Sequence, residues 1–357
     1  MNRLARSQVT PPASDRDQIA MIVAGRRARH RRHAVATIVL AALVLGLFTV
    51  TLMIGNTFYS LGEVVRVILG DTVPGASFTV GELRLPRAVL AILAGLSFGI
   101  AGVCFQTLLR NPLASPDIIG ISDGAGAAAV LGIIVFSLNG PVVSVLALAG
   151  ALLTAGAIYL LSIKGGFAGT RLILIGIGVA AMLQSVISYT LSRAASWDIQ
   201  TAMQWLTGSL NNASWDRVGP LLIAVAVIVP LMLSQGRSLG ALQLGDDSAS
   251  GLGVRVNATR LLFILGAVAL LAFATAATGP IAFVAFMAGP IAARITGPGA
   301  NLLLPSAFVG AVLVLAGDLI GQFALGARYP VGVITGVIGA PYLIYLLVRT
   351  NRSGGSL

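Results

Sequence analysis

The chain has 357 residues, of which 57% are hydrophobic and only 10% are charged, and its mean hydropathy is +0.94. Soluble domains carry about 25% charged residues, and a chain this apolar would expose too much hydrophobic surface in water, so the composition excludes a soluble globular protein. A single cysteine, Cys104, excludes an intrachain disulfide and a cysteine cluster. Most of the net charge of +11 lies at the ends of apolar segments, so it does not indicate nucleic-acid binding.

The first 33 residues form a basic segment that contains eight arginines and both histidines. Pro11-Pro12 and scattered polar residues leave it without sustained apolar periodicity. His30 and His33 could share a helix face, but the arginines around them disfavour a metal site. The apolar run that follows, 34–54, has roughly the 20 residues that cross a bilayer and shows no clear cleavage pattern. We therefore predict a basic cytoplasmic tail over 1–33 and a retained first span.

Ten apolar segments predict an all-α integral membrane protein with about ten transmembrane helices. They lie at 34–55, 86–108, 117–137, 140–162, 171–192, 217–234, 258–277, 280–296, 302–324 and 331–348. The eighth is interrupted by Gly279-Pro280 and Gly289-Pro290, and such breaks are tolerated at membrane depth only where protein or a cavity surrounds the freed backbone groups. The stretch 57–81 fits a short amphipathic helix and a loop. The membrane-spanning region thus covers 34–351, and a short tail follows at 352–357.

The distribution of basic residues predicts the orientation. When each Lys and Arg is assigned to its nearest loop, seventeen fall on the side of the amino terminus and six on the other. Cytoplasmic loops carry the excess of positive charge in membrane proteins. We therefore expect a multi-pass membrane protein with both termini in the cytoplasm.

The stretch 84–132 holds two spans joined by the tight polar turn NPLASPD, an arrangement more typical of a transporter than of a passive anchor. Arg84 and Arg87 flank Pro86 at the outer end of the second span. Proline suits the first position of a helix, but positive charge there opposes the macrodipole. The two arginines either snorkel to lipid headgroups or present an outward docking point for the carboxylates of a soluble partner.

The polar loop 238–260 is the largest on the cytoplasmic side. An apolar patch of Leu239, Leu242 and Leu244 precedes Asp246 and Asp247, which can cap the next turn. Gly251 and Gly253 would permit a sharp reversal around Leu252, and the small residues Ser248, Ala249 and Ser250 would allow close approach of a partner. As a bare pattern, this is an ordinary polar loop with a helix cap.

The fifth span carries one polar face in an otherwise apolar helix. Its members are Gln184, Ser185, Ser188, Tyr189 and Ser192, and the steps of three, four and seven from Ser185 place them together. Such a face serves either helix packing or the wall of a channel. Asp117, Asp123 and Asp318 are the acids nearest the membrane and are functional candidates, although Asp117 and Asp123 could simply cap the third span.

Three stretches together resemble a known family: RLPRAVLAILAGLSFGIAGVCFQTLLRNPLASPDIIGISDG, the loop 238–260, and PVGVITGVIGAP near the carboxyl terminus. The family comprises the permease subunits of bacterial ATP-driven importers for iron–siderophore, haem and cobalamin (cobalamin-permease-like, FecCD-type), and the resemblance covers roughly 55–350. It implies a dimer with an identical or homologous permease, two cytoplasmic ATPase subunits and a periplasmic or lipid-anchored binding protein. ATP and magnesium would then reside on the ATPase, with no cofactor in this chain.

The resemblance also implies roles for particular residues. Arg84 and Arg87 would meet glutamates of the binding protein. A third family arginine falls on Gln322 here, and Arg328 could replace it. Gly169 and Thr170 would form a narrow cytoplasmic gate, and the polar face of the fifth span would line the channel. The residues that would couple to the ATPase are Leu242, Leu244, Gly245, Asp246, Ala249, Gly251, Leu252 and Gly253. Gly289-Pro290 departs from the usual family residues, so the helix break there could be shifted.

No enzyme site emerges from the sequence, which lacks a G-x-x-x-x-G-K-[ST] loop and an H-E-x-x-H motif. A secondary transporter would more often carry an ionisable relay at mid-membrane, and a membrane-embedded enzyme would need catalytic groups that we do not find. We therefore expect a permease for chelated ferric iron, most of all ferric siderophores, with haem and cobalamin left open and no metal site or nucleic-acid partner.

Overall fold

A computed structural model describes residues 15–117, 119–162, 169–297 and 301–352, and these residues form helices and connecting turns without a strand. The first half contains α1 Asp15–Met53, α2 Leu61–Ile68, α3 Ala76–Phe78, a π-helical turn Thr79–Arg84, α4 Leu85–Leu108, α5 Ile121–Ile134, α6 Pro141–Ser162 and α7 Gly169–Ser192. The second half contains α8 Ser196–Leu206, α9 Trp215–Ser234, α10 Gly236–Leu242, α11 Asp246–Gly251, α12 Val256–Thr278, α13 Val284–Thr296, α14 Leu303–Phe323 and α15 Val331–Arg352.

The ten predicted spans all correspond to apolar helices, and the all-α membrane fold is confirmed. Eight helical stretches in the described residues are long and apolar enough to cross a membrane. The third and eighth are shorter: α5 has 14 residues and α13 has 13. At 1.5 Å per residue each is about 20 Å long, which is less than the roughly 30 Å hydrocarbon core.

The basic tail is not a separate element over its whole length. Residues 1–14 lie outside the described part, but Asp15 begins α1, and this helix of 39 residues continues without a break into the first span. The arginine-rich segment therefore extends the span as a helix. At the other end, α15 reaches Arg352, so all but the first residue of the predicted tail 352–357 lies outside the described residues.

The expected amphipathic helix between the first two spans is α2. Ser60 caps it through a capping box in which its hydroxyl accepts from the Glu63 backbone N–H while the Glu63 carboxylate accepts from the Ser60 N–H at 2.8 Å. The hydrogen bonds that the Ser60 N–H and the Ser60 hydroxyl donate to the Glu63 carboxylate hold the pKa of this carboxyl below its ordinary value. Val64 is buried beneath the helix, so α2 lies against the outer end of the α1–α4 pair.

Helix α4 is the centre of the molecule. Most of its residues are buried, including Phe98, and it packs on α12, α13 and α14. A β-carbon at Gly95 would lie 2.5 Å from the Cα of Ala311 in α14, far inside contact distance. Only glycine therefore lets these two backbones approach so closely, as is typical of membrane helix interfaces.

The break in the eighth span precedes α13. Helix α12 ends at Gly279 with φ of 72°, and Phe283 has φ of 63° just before α13 begins. The interruption predicted at Gly279-Pro280 is thus present, in a stretch buried against α8 at Trp205. Protein and a cavity lined by Pro280 and Phe283 surround this stretch, which satisfies the condition for irregular backbone at membrane depth.

The second expected break, at Gly289-Pro290, does not interrupt α13. Pro290 lacks the N–H that would donate to the carbonyl of Phe286. The side-chain amide of Gln106 in α4 donates to that carbonyl instead, at 3.0 Å. A β-carbon at Gly289 would collide with this amide, so the glycine–proline pair and Gln106 form one structural unit that keeps the helix intact.

Candidate functional site

The outer arginines both have partners within the chain. The guanidinium of Arg84 donates to the carbonyls of Leu52, Met53 and Thr57 at 2.9, 3.0 and 2.6 Å, and it lies 5.0 Å from the ring centre of Tyr59. These carbonyls belong to the end of α1 and the turn after it. A cation there satisfies orphan carbonyls and complements the helix dipole. Arg84 therefore caps α1, a structural role that its position in the sequence did not reveal.

Arg87 forms a two-pronged ion pair across the central helix crossing. Its Nε and Nη2 atoms donate to the two carboxylate oxygens of Asp318 in α14, each at 2.7 Å. The side chains are only 19% and 5% exposed. The amide oxygen of Asn211 accepts from Arg87 at 3.1 Å and from Gln322 at 3.2 Å, which extends the network. Asp318 is thus paired, and Gln322 occupies a defined place beside the arginine.

These contacts change the expectation for docking. The sequence suggested two free outward guanidiniums, whereas both are engaged in the fold and half-buried. Arg328 is the exposed member of the group, and it donates to Asn56 at 3.1 Å. All three arginines line one outer cavity of about 470 Å³. A binding-protein role for Arg84, Arg87 and Arg328 stays a prediction, and Arg328 is the most accessible of them.

The polar face of the fifth span is exposed on α7. Gln184, Ser185, Ser188, Tyr189 and Ser192 are all solvent-accessible in the single chain. The Ser185 and Ser192 hydroxyls donate to the carbonyls of Ala181 and Tyr189, each at 2.8 Å. These two hydrogen bonds stay within the helix, while the side-chain amide of Gln184 donates to Asp123 of α5. Within the described residues, the face is therefore contacted by the chain only at its Gln184 end and is otherwise exposed.

The buried side of α7 carries Ile187 and Thr190, which lie between the polar positions in sequence. Ile187 packs against α5 and α8. The helix therefore has one face packed inside the chain and one face left for another surface.

The predicted gate residues Gly169 and Thr170 are the first two residues of α7. They do not precede the helix, because it begins earlier than the apolar pattern suggested. The connection before them, 163–168, lies outside the described residues.

The acids near the third span do not cap it. Helix α5 starts after Gly120, without a side-chain cap. The Asp117 carboxylate instead accepts from the hydroxyls of Ser122 at 2.9 Å and Ser115 at 3.3 Å, and Asp123 accepts from the side-chain amide of Gln184. The third span's polar groups are therefore tied to α7.

A cavity of about 470 Å³ lies where these groups meet the broken eighth span. Its lining includes Asp117, Asp123 and Gln184 on one side and Phe283 and Phe286 on the other. The cavity thus lies between the start of α5, α7 and the irregular stretch before α13. Sequence reasoning identified the individual acids, but only the tertiary structure places them around one cavity beside the polar face of α7.

The loop 238–260, predicted to be cytoplasmic, contains the end of the short helix α10 and the short helix α11. Leu242 and Ala249 are buried, whereas Leu244 and Leu252 are 66% and 67% exposed. The expected apolar patch is thus wrong in part, since Leu239 and Leu242 pack inward as the core of the loop. The outward apolar surface consists of Leu244 and Leu252.

Asp246 joins this loop to two transmembrane helices. One carboxylate oxygen accepts from Arg110, just after α4, at 2.9 Å, and the other accepts from Arg260 of α12 at 2.8 Å. Arg110 also donates to the Leu242 carbonyl at 2.9 Å. The hydrogen bond from Arg260, together with the charge of Arg110, holds the pKa of the Asp246 carboxyl below its ordinary value. We call these three side chains the inner triad.

The triad replaces the cap that the sequence suggested. Asp246 is the first residue of α11. The N-cap residue of this helix is Gly245, and no side chain forms a capping hydrogen bond there. The turns at each side of α11 use Gly245 with φ of 107° and Gly253 with φ of 82°, a region that favours glycine. Gly251 is helical, and a β-carbon there would meet no atom within 4 Å. Its surroundings are open to a partner.

The fold and these polar features define a polytopic helical membrane permease. The chain belongs to the FecCD transport family, whose model matches residues 38–349. The predicted class, a permease of the iron–siderophore and cobalamin importer family, is confirmed, and the family assigns the chain to the transport component of such importers.

Known relatives cover most of the chain. It is 38% identical over 306 residues to the ferric enterobactin transport system permease FepG of Escherichia coli, covering 84% of this chain and 91% of that protein. It is 36% identical over 323 residues to the Fe(3+)-citrate import system permease YfmE of Bacillus subtilis, covering 89% and 96%. It is also 36% identical to the cobalamin import system permease BtuC of Halobacterium salinarum, covering 76% and 74%.

The fold has a matching solved structure, described as an inward-facing conformation of an ABC transporter of the metal-chelate type. The TM-score is 0.77 at 25% identity, covering 87% of this chain and 98% of that one. The short third and eighth helices therefore occur within an established transporter architecture.

Proposed function

We propose that the protein is the permease subunit through which a bacterial ATP-driven importer takes up ferric siderophores. The observation that carries this proposal is the near full-length similarity to permeases named for ferric enterobactin and ferric citrate. Within the chain, no described cluster of His, Cys, Asp or Glu could hold a metal ion. The proposed cargo is accordingly an intact chelate that carries its own metal ligands.

The exposed polar face of α7 supports a channel between two permease subunits. Gln184, Ser185 and Ser192 have hydrogen-bond partners within the chain, but five exposed polar side chains on one stripe are still solvated better by water than by hydrocarbon. A second permease, identical or homologous, would turn this stripe toward a shared water-filled path. Gly169 and Thr170 would narrow the path at its cytoplasmic end.

The loop α10–α11 would receive the ATPase, with Leu244, Gly251 and Leu252 facing it. Because Asp246 ties the loop to Arg110 and Arg260, a push on α11 would pass directly to α4 and α12. The binding protein would dock on the opposite surface near Arg328. This arrangement requires cytoplasmic termini, in agreement with the excess of Lys and Arg on that side, and two ATPase subunits would supply ATP and magnesium.

Transport assays test the cargo directly. A strain lacking this gene should lose uptake of radiolabelled ferric siderophore and regain it on complementation, with unlabelled ferric siderophore as an effective competitor. Competition by cobalamin or haem instead would assign the other cargo. Uptake that survives ATP depletion but fails when the proton gradient collapses would contradict an ATP-driven importer.

Cysteine labelling tests the channel wall. In a Cys104→Ser background, single cysteines at 185, 188 and 192 should react with small water-soluble thiol reagents in membranes, and Ser188→Leu should lower transport several-fold. Matched cysteines at 183, 187 and 190 lie toward the protein side of α7 and should react less. Equal protection at all six positions would favour a packing role for the serines.

A further inference from the structure

The amino-terminal part of α1 is not explained by the importer function. The family match begins at residue 38, whereas the helix already begins at Asp15. Arg26, Arg27, Arg29 and Arg31 are all exposed, and none of the ion pairs found in the described residues involves this helix. No Asp or Glu occurs in the sequence between Asp17 and Glu63.

The helix is fixed to the rest of the protein by one side. Arg32 donates to the carbonyls of Arg294 and Ile295 at 3.2 and 3.3 Å, near the end of α13. The ring of His33 lies 2.9 Å from the carbonyl of Asn301, just before α14. These bonds set the rotation of the helix where it leaves the membrane span. Arg32 also places positive charge at the carboxyl end of α13, where the helix dipole favours it.

The helical repeat then decides which arginines face away from the protein. At 100° per residue, Arg27, Arg31, Ile38 and Leu45 fall within about 40° of one another. Ile38 and Leu45 are 67% and 65% exposed. In a membrane protein, this exposed apolar stripe is the lipid-facing side of the span. Arg27 and Arg31 therefore continue the lipid-facing stripe beyond the hydrophobic part of the helix.

The distances along the helix suit the headgroup layer. The apolar run starts at Ala34, so Arg31 lies about 4.5 Å and Arg27 about 10 Å beyond it along the axis. The headgroup region on each side of the bilayer is roughly 5–8 Å thick, and arginine side chains extend toward it. Both guanidiniums can reach the layer in which phosphate groups lie.

Isolated helix stability does not favour this arrangement. Arg27 and Arg31 are four residues apart, and like charges at that spacing repel each other. An anionic surface would convert this repulsion into attraction.

We propose that the arginine-rich extension of α1 is a binding surface for anionic phospholipid headgroups, with Arg27 and Arg31 as its principal contacts. The headgroups lie in the leaflet that the amino-terminal end of α1 meets. Through Arg32 and His33, the bound lipids would hold the ends of α13 and α14 at the membrane boundary. The proposal depends on the membrane fold alone and not on the transported cargo.

Lipid titration of the full-length protein tests this surface. Purified protein in neutral detergent should bind phosphatidylglycerol in preference to phosphatidylcholine, with an affinity that falls as salt is raised. Each arginine near an anionic surface contributes about 1 kcal/mol. Arg27→Gln with Arg31→Gln should therefore weaken phosphatidylglycerol binding by about 30-fold, which corresponds to about 2 kcal/mol at 1.4 kcal/mol per factor of ten.

Two controls make the result decisive. Arg27→Lys with Arg31→Lys keeps the charge and should retain most of the binding, whereas Arg66→Gln with Arg193→Gln removes the same charge elsewhere and should leave binding unchanged. Circular dichroism checks that the helix persists in each variant.

The proposal is overturned if wild-type protein shows no preference for phosphatidylglycerol, or if Arg66→Gln with Arg193→Gln reduces phosphatidylglycerol binding as much as Arg27→Gln with Arg31→Gln does. It is also overturned if the Gln pair leaves lipid binding intact but abolishes ATPase co-purification, since that result would assign the surface to a protein partner.

Discussion

The two ends of α4 both carry an arginine bound to an aspartate, but the two ion pairs differ in burial. At the outer end, Arg87 and Asp318 are 19% and 5% exposed and join α4 directly to α14. At the inner end, Arg110 and Asp246 are 47% and 50% exposed and join α4 to the short helix α11. The outer pair lies within the packed bundle, whereas the inner one holds a peripheral element against it.

This difference separates stability from coupling. A shielded charge pair costs desolvation, and breaking it leaves an uncompensated charge, so the outer pair should matter for folding. An exposed pair contributes little to stability, but it can still fix the position of a partner-binding loop. We therefore expect changes at the inner end to impair transport with little loss of stability. Changes at the outer end should lower the free energy of unfolding more than they impair transport by the folded protein.

The largest effect on transport is expected at Gly251. Gly251→Trp should reduce uptake to background while membrane insertion is unchanged, because the bulky ring would occupy the open space where the ATPase approaches. Gly62→Trp is the matched control, since Gly62 also has open surroundings but lies on α2 at the other surface. Normal uptake and normal ATPase co-purification in Gly251→Trp would remove the loop from the coupling role.

The largest effect on stability is expected at Asp318. Asp318→Ala should lower the free energy of unfolding by about 3–5 kcal/mol, because it leaves the Arg87 guanidinium without its carboxylate in a shielded site. Denaturant titration in detergent measures the change. Asp71→Ala breaks the exposed pair with Arg66, whose side chains are 60% and 58% exposed, and should cost at most about 1 kcal/mol. Equal losses in the two variants would show that the outer pair is no more than a surface contact.

At the inner end, Asp246→Asn should uncouple substrate uptake from the activity of the bound ATPase. We expect uptake to fall about tenfold, corresponding to about 1.4 kcal/mol, while the ATPase remains bound and active, because α11 would no longer be held to both α4 and α12. Asp247→Asn removes a neighbouring exposed charge that takes part in none of the described ion pairs and should transport normally. Parallel loss of uptake and ATPase binding would indicate that Asp246 contacts the ATPase itself.

The same carboxyl predicts a pH dependence of stability. Because the pKa of Asp246 is lowered in the folded protein, its contribution is fully present above the unfolded pKa of about 3.9 and is lost as pH falls through the lower folded value. The difference in melting temperature between wild type and Asp246→Asn should therefore be constant from pH 8 to pH 5 and shrink below about pH 4. A difference that shrinks between pH 7 and pH 5 would contradict the ion-paired state.

For docking, the expected effect on binding is about as large as the effect of Asp246→Asn on uptake. Arg328→Glu should weaken binding of the solute-binding protein by about tenfold, since a charge-assisted hydrogen bond contributes on the order of 1.5–3 kcal/mol. Arg66→Glu is the exposed control on the same side. Changing acidic residues of the binding protein to arginine should restore part of the affinity. Reversing the charges of Arg84 and Arg87 together is a less selective test, because those side chains also hold α1 and α14. Unchanged affinity for the binding protein in Arg328→Glu would contradict a docking role for Arg328.

The sequence was sufficient to place the spans and much of the candidate site. Hydrophobic length and the excess of positive charge are local properties, so the ten apolar helices and the family of the chain were readable directly. The stripe from Gln184 to Ser192 was also predictable, because helical periodicity depends only on spacing. The family resemblance also singled out the loop 238–260.

The sequence did not reveal which charges pair with one another. Arg87 and Asp318 are separated by 231 positions, and Arg110 and Asp246 by 136, so no local pattern links them. The same holds for Gln106, which donates to Phe286 and keeps α13 helical across Pro290. Short-range physics sets where each helix begins and which side of it is apolar. Only the packing of helices decides which buried polar groups become neighbours, because each must find a partner in whatever element the fold brings within hydrogen-bonding distance.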